Sequence, residues 1–122
     1  MEAIQNQKKY DLEERTLEFA KNTRMFIKSL PKSIPNIEYS KQLIRSSGSI
    51  GANYIEANES LSKKDFLLHI RISRKEAKES QYWLKLCDLN NEESIVNNKN
   101  TLLQEAIELT KIFSSIVEKS KY

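Results

Sequence analysis

The chain has 122 residues and a formal net charge of +3, from twenty Lys and Arg against seventeen Asp and Glu. Only two glycines and two prolines are present, which excludes the turn-rich composition of a β protein and points to a single all-α domain spanning 1–122. One cysteine, Cys87, excludes an internal disulfide and a multi-cysteine metal site, while no apolar run approaches the roughly 20 residues of a membrane span.

The N-terminal stretch Met1 to Lys9 is polar and lacks the apolar core of a signal peptide, so a reducing cytoplasm is the expected location. Asp11 followed by Glu14 has the form of a capping box. Leu12, Thr16, Phe19, Thr23, Phe26 and Leu30 then recur at helical spacing, with Ala20 and Ile27 widening the stripe. A first helix is predicted over 11–30, closed by Pro31.

The second helix is predicted over 36–59, with Ile37, Leu43, Ile44, Ser47, Ile50, Gly51, Tyr54 and Ala57 on its apolar side. Both glycines of the chain, Gly48 and Gly51, fall inside it, among Ser46, Ser47, Ser49 and Ala52. A helix-interior glycine costs about 1 kcal/mol relative to alanine, so the pair calls for a close approach by another helix. The same residues are compatible with a Ser/Gly break between two shorter helices.

Ser62 with Asp65 marks the start of a third helix, predicted over 63–89, whose seam of Phe66, Ile70, Ser73, Ala77, Ser80, Leu84 and Cys87 has heptad-like spacing. The polar run from Asp88 to Asn100 reads as the longest connector, part of it able to coil around Ile95 and Val96. The fourth helix is predicted over 99–119, carrying Leu102, Leu103, Ala106, Leu109, Phe113, Ile116 and Val117. Four such helices pack most simply as an up-down-up-down antiparallel four-helix bundle.

Charge on the third helix is sorted by side. Lys64, Arg71, Lys78 and Lys85 fall seven apart and stack into one stripe, edged by Arg74 and Lys75. Asp65, Glu76 and Glu79 gather on the other flank, near Ile72, Trp83 and Leu86. A basic stripe suits phosphates and an acidic, partly apolar flank suits another subunit, whereas an ordinary solvated face accounts for the same charges without either. Trp83 beside the seam reads as an interface anchor or as a cap on the core.

Enzyme constellations are not evident. The sole histidine, His69, has Phe66 where a ferritin-type Glu-x-x-His pair needs glutamate. Ser29 with Lys32 and Ser60 with Lys63 match Ser-x-x-Lys without the accessory elements of an acyl-transfer site. Gly48 and Gly51 lack the Lys-Ser/Thr of a phosphate loop, so no cofactor or metal is implied.

Arg45, Ser46, Ser49, Ile50, Asn53 and Glu56, together with Lys63-Lys64-Asp65-Phe66 and Arg74-Lys75-Glu76-Ala77-Lys78-Glu79-Ser80, resemble the bacterial four-helix bundle proteins encoded in 23S ribosomal RNA intervening sequences. The resemblance covers almost the whole chain. The family carries glycine after the glutamate, where this chain has Ala57. The resemblance implies a cytoplasmic bundle that assembles into a ring-like homo-oligomer, a pentamer. Relatives include the accessory proteins of diversity-generating retroelements, which bind nucleic acid and a reverse transcriptase.

Ser46, Gly48, Ser49, Ile50, Gly51, Asn53 and Glu56 are therefore expected to serve helix packing. Ile72, Trp83 and Leu86 are expected at an oligomer interface. Arg45, Lys63, Lys64, Arg71, Arg74, Lys75, Lys78 and Lys85 are expected to bind RNA or DNA without sequence preference, or alternatively to dock a partner protein such as a reverse transcriptase.

Overall fold

The structure, a computed structural model, describes the backbone of residues 2–121 and the side chains of residues 12–121. Its helices are α1 (Glu2–Ser29), α2 (Ile34–Asn58), α3 (Lys63–Leu86) and α4 (Glu93–Ser120), and no strand occurs among the described residues. Each helix packs on its two chain neighbours, with α4 returning to α1. The order around the bundle is thus α1, α2, α3, α4, in antiparallel up-down-up-down succession. Among the described residues no helix is long and apolar enough to cross a membrane.

The helix ends follow local chemistry. Ser33 caps α2 by accepting from the Asn36 N–H at 3.2 Å, with Pro35 in the first turn, where its missing N–H costs nothing. Ser62 caps α3 in the same way, accepting from the Asp65 N–H at 3.1 Å. Asp11 does not start a helix: α1 already runs from Glu2, through a segment rich in Glu, Ala, Gln and Lys that favours helix. The connector before α4 is also shorter than its polarity suggested, because Asn90 and Asn91 take left-handed backbone angles, φ 52° and 56°, and turn the chain at once. Ile95 is then buried one heptad before Leu102, which draws the intervening polar residues into α4.

The core contains Phe19 and Phe26 of α1, Leu43 and Ile50 of α2, Ile70 and Leu84 of α3, and Leu109 and Phe113 of α4. Where α2 meets α3 the contact is made of small polar residues. Ser73 donates to the Ile50 carbonyl at 2.9 Å, and the Ser46 and Ser80 hydroxyls lie 2.9 Å apart, all buried. Short side chains bring the two backbones close, and the hydroxyls satisfy one another or a carbonyl.

Gly51 serves α1 instead. A Cβ at this position would lie 2.7 Å from Thr16 Oγ1, so only glycine fits against that hydroxyl. Gly48 has nothing within 4 Å of the same construction, so no neighbouring helix requires a glycine there. A bidentate ion pair, Arg15 Nε to Glu105 at 2.7 Å and Arg15 Nη2 to Glu105 at 2.9 Å, fastens α1 to α4.

Thr23 is fully buried and its hydroxyl has no hydrogen-bond partner. Replacing it with the near-isostere valine removes an unsatisfied polar group from the core. Thr23→Val is expected to raise stability by about 1 kcal/mol, checked by urea unfolding.

Candidate nucleic-acid interface

The buried seam of α3 fixes what its other faces present. Advancing about 100° per residue from that seam places Arg71, Arg74, Lys78 and Lys85 on the flank towards α4. The direction is set by Gln81, whose amide donates to Thr110 Oγ1 of α4 at 2.8 Å. Lys64 and Lys75 lie further round towards the outer apex of the same helix. Lys111 of α4, one residue and about 100° on from Thr110, is exposed near the outer apex of that helix. It extends the stripe across a second helix, and its placement depends on the packing of α4, which composition alone does not orient.

The stripe is electrostatically unspent. Some cations elsewhere find carboxylates: Lys21 with Glu18, Lys41 with Glu38, Lys121 with Glu118 and Arg15 with Glu105. Lys64, Arg71, Arg74, Lys78, Lys85 and Lys111 make no ion pair among the described residues. All but the half-buried Arg74 are exposed. Such cations keep their full attraction for an external anion.

The opposite flank of α3 faces α2 and has another character. Asn53 donates to the Ser49 carbonyl and to Ser49 Oγ, both at 3.0 Å, and its Oδ1 lies 3.1 Å from His69 Nδ1. His69 is thus engaged across the helix pair. Beside it, the Glu76 carboxyl is held above its ordinary pKa, first by burial and then by neighbouring Glu79, while Lys75 and Ser49 pull the other way.

Arg45 sits on α2 at this polar seam and not with the stripe, while Lys63 occupies the first turn of α3. Ser46 and Ile50 are buried, Ser49 and Asn53 are half-buried, and Glu56, like Gly48, is exposed. Trp83 is partly buried against the core, its ring centroid 6.3 Å from Tyr39 and 5.1 Å from Tyr82, so it closes the α2–α3 seam. Ile72 is half-buried and Leu86 exposed on the outer side of α3.

Cys87 is buried and donates to the Trp83 carbonyl at 3.3 Å, and burial pushes its thiol up to about 11. It is therefore protonated and unreactive near neutrality. Among the described residues no group of three His, Cys, Asp or Glu side chains is placed to hold a metal ion.

Comparison with known proteins bears on the fold and the family. The solved structure of a protein of unknown function from the S23 ribosomal protein family of Bacteroides thetaiotaomicron VPI-5482 superposes with a TM-score of 0.74 at 32% identity, covering 88% of this chain and 95% of that one. No curated protein matches the sequence. The family model described as 23S rRNA-intervening sequence protein matches residues 8–115, and the chain belongs to that family.

Proposed function

We propose that this chain is a non-enzymatic, cytoplasmic, homo-oligomeric bundle that binds nucleic acid through the basic stripe of α3 and Lys111 of α4. The observation that carries the reading is the run of exposed cations without internal carboxylate partners. A monomer charge of +3 is modest, but a ring repeats the stripe by symmetry and builds a substantial field on one face. The contacts are of phosphate type, with no element shaped to read base edges. Binding is therefore sequence-tolerant and falls steeply with salt.

The test is a double substitution, Arg71→Gln with Lys78→Gln, assayed by fluorescence anisotropy on labelled single-stranded RNA and on duplex DNA. Both positions are exposed, so the bundle is unaffected. Affinity is expected to drop about tenfold or more at low salt, and the slope of log affinity against log salt to lessen by about 2 per protomer engaged. Unchanged affinity in a folded variant contradicts the assignment.

A further inference from the structure

Two surfaces of the protomer have no partner within it, and they complement one another. The first is the groove between α1 and α2. Leu17, Ile37, Ile44 and Ile55 are each 43–51% exposed along it, and its floor is open at Gly48. Cations rim it: Lys21, Arg24, Lys28 and Lys41 are all exposed.

The second surface is the outer ridge of α3. Leu68, Ile72, Glu79, Tyr82 and Leu86 recur at spacings of three, four and seven, forming a second seam roughly opposite the buried one. The ridge is apolar at both ends, with the Glu79 carboxyl at its middle and Lys75 beside it.

We infer that the ridge of α3 from one copy of this chain lies in the α1/α2 groove of the next copy, head to tail. This rests on the homo-oligomeric reading above and names its interface. The groove and ridge are different patches, so the contact is heterologous and does not close as a two-fold dimer. They lie roughly a third of the way round the bundle from each other, so each added copy turns a corner, as a closed ring requires.

The levels along the bundle agree with this closure. In a ring whose axis runs along the bundles, equivalent residues of all copies stand at one height. The contacts of Ser46 with Ser80 and of Ile50 with Ser73 set the height of α3 against α2, and that of Gly51 with Thr16 sets α1. On that scale Glu79 of one copy comes within one helical turn of Ile44, Gly48, Lys21 and Arg24 of the next. Leu86 comes level with Ile37, and Leu68 with Ile55. The Glu79 carboxylate thus meets the cationic part of the groove, and apolar side chains meet its isoleucines. The stripe towards α4 is left uncovered.

The experiment is light scattering after size exclusion on the wild type, Arg24→Glu, Glu79→Arg, and the double variant carrying both. Arg24 and Glu79 are exposed, and circular dichroism checks that each variant is folded. The wild type is expected to run as an oligomer, each single variant to self-associate more than about tenfold more weakly, and the double variant to regain the wild-type mass. Single variants that keep the wild-type mass, or a double variant no better than the singles, overturn this interface and leave the oligomer standing. A wild type of 14.2 kDa at every concentration overturns the oligomeric reading itself.

Discussion

Replacing Asn36 by alanine is expected to lower the unfolding free energy by about 3 kcal/mol, the sum of several lost buried hydrogen bonds. Asn36 is 2% exposed. Its amide donates to the Pro31 carbonyl at 2.8 Å and to the Asp88 carbonyl at 2.9 Å, while its Oδ1 accepts from the Asp88 N–H at 2.8 Å. One side chain thus joins the α1–α2 connector to the start of the α3–α4 connector, where neither helix ladder supplies partners. Alanine leaves an N–H and two carbonyls short of a partner at this half-buried corner. Aspartate does not rescue, because it keeps the acceptor but sets a carboxylate against two carbonyl oxygens. Urea unfolding followed by Trp83 fluorescence measures both variants, and a loss under about 0.5 kcal/mol for Asn36→Ala would contradict this account.

The two glycines are expected to respond in opposite directions. At Gly51 the Cβ position lies 2.7 Å from Thr16 Oγ1 and 3.2 Å from Thr16 Cβ. The Thr16 hydroxyl cannot swing away freely, because it donates to the carbonyls of Leu12 at 2.9 Å and Glu13 at 3.0 Å. Overpacking of this kind costs about 1–3 kcal/mol, against a helix-propensity gain of about 1 kcal/mol for alanine. Gly51→Ala is therefore destabilising on balance, and Gly51→Leu is expected to cost about 3 kcal/mol or more. Removing the obstructing hydroxyl with Thr16→Ala is expected to make Gly51→Ala harmless. Gly48→Ala meets nothing and is expected to stabilise the folded chain by about 1 kcal/mol. Thermal unfolding of the set checks the contrast, and a Gly51→Ala variant as stable as Gly48→Ala would sink it.

The seams of α1 and α3 were legible because a long helix with one buried side writes its period directly into the sequence. The close approach at the glycines was legible only by half. Gly48 and Gly51 look alike as letters and stand only about 60° apart round the helix, yet that is enough for one to meet Thr16 and the other to meet nothing. Asn36 was invisible as a structural residue because its partner Asp88 lies 52 positions away on another connector. The start of α4 was hidden by an Asn- and Glu-rich run that has loop composition and yet folds as helix once Ile95 is buried. On the candidate interface, the stripe along α3 could be read from its spacing alone. Lys111 could not, since its side of α4 is fixed only by the contact of Thr110 with Gln81. Arg45 was grouped with the stripe by charge, and the packing of α2 on α3 places it at the far seam.

The central claim, that the unpaired cations of α3 and α4 meet phosphates, is tested most directly by titrating the wild-type protein into labelled single-stranded RNA across a series of salt concentrations. The account predicts binding at low salt whose logarithm falls linearly and steeply with the logarithm of salt, with little dependence on sequence. An anisotropy that stays flat at the lowest salt, in a sample of known oligomeric mass, would contradict it and assign the stripe to a protein partner.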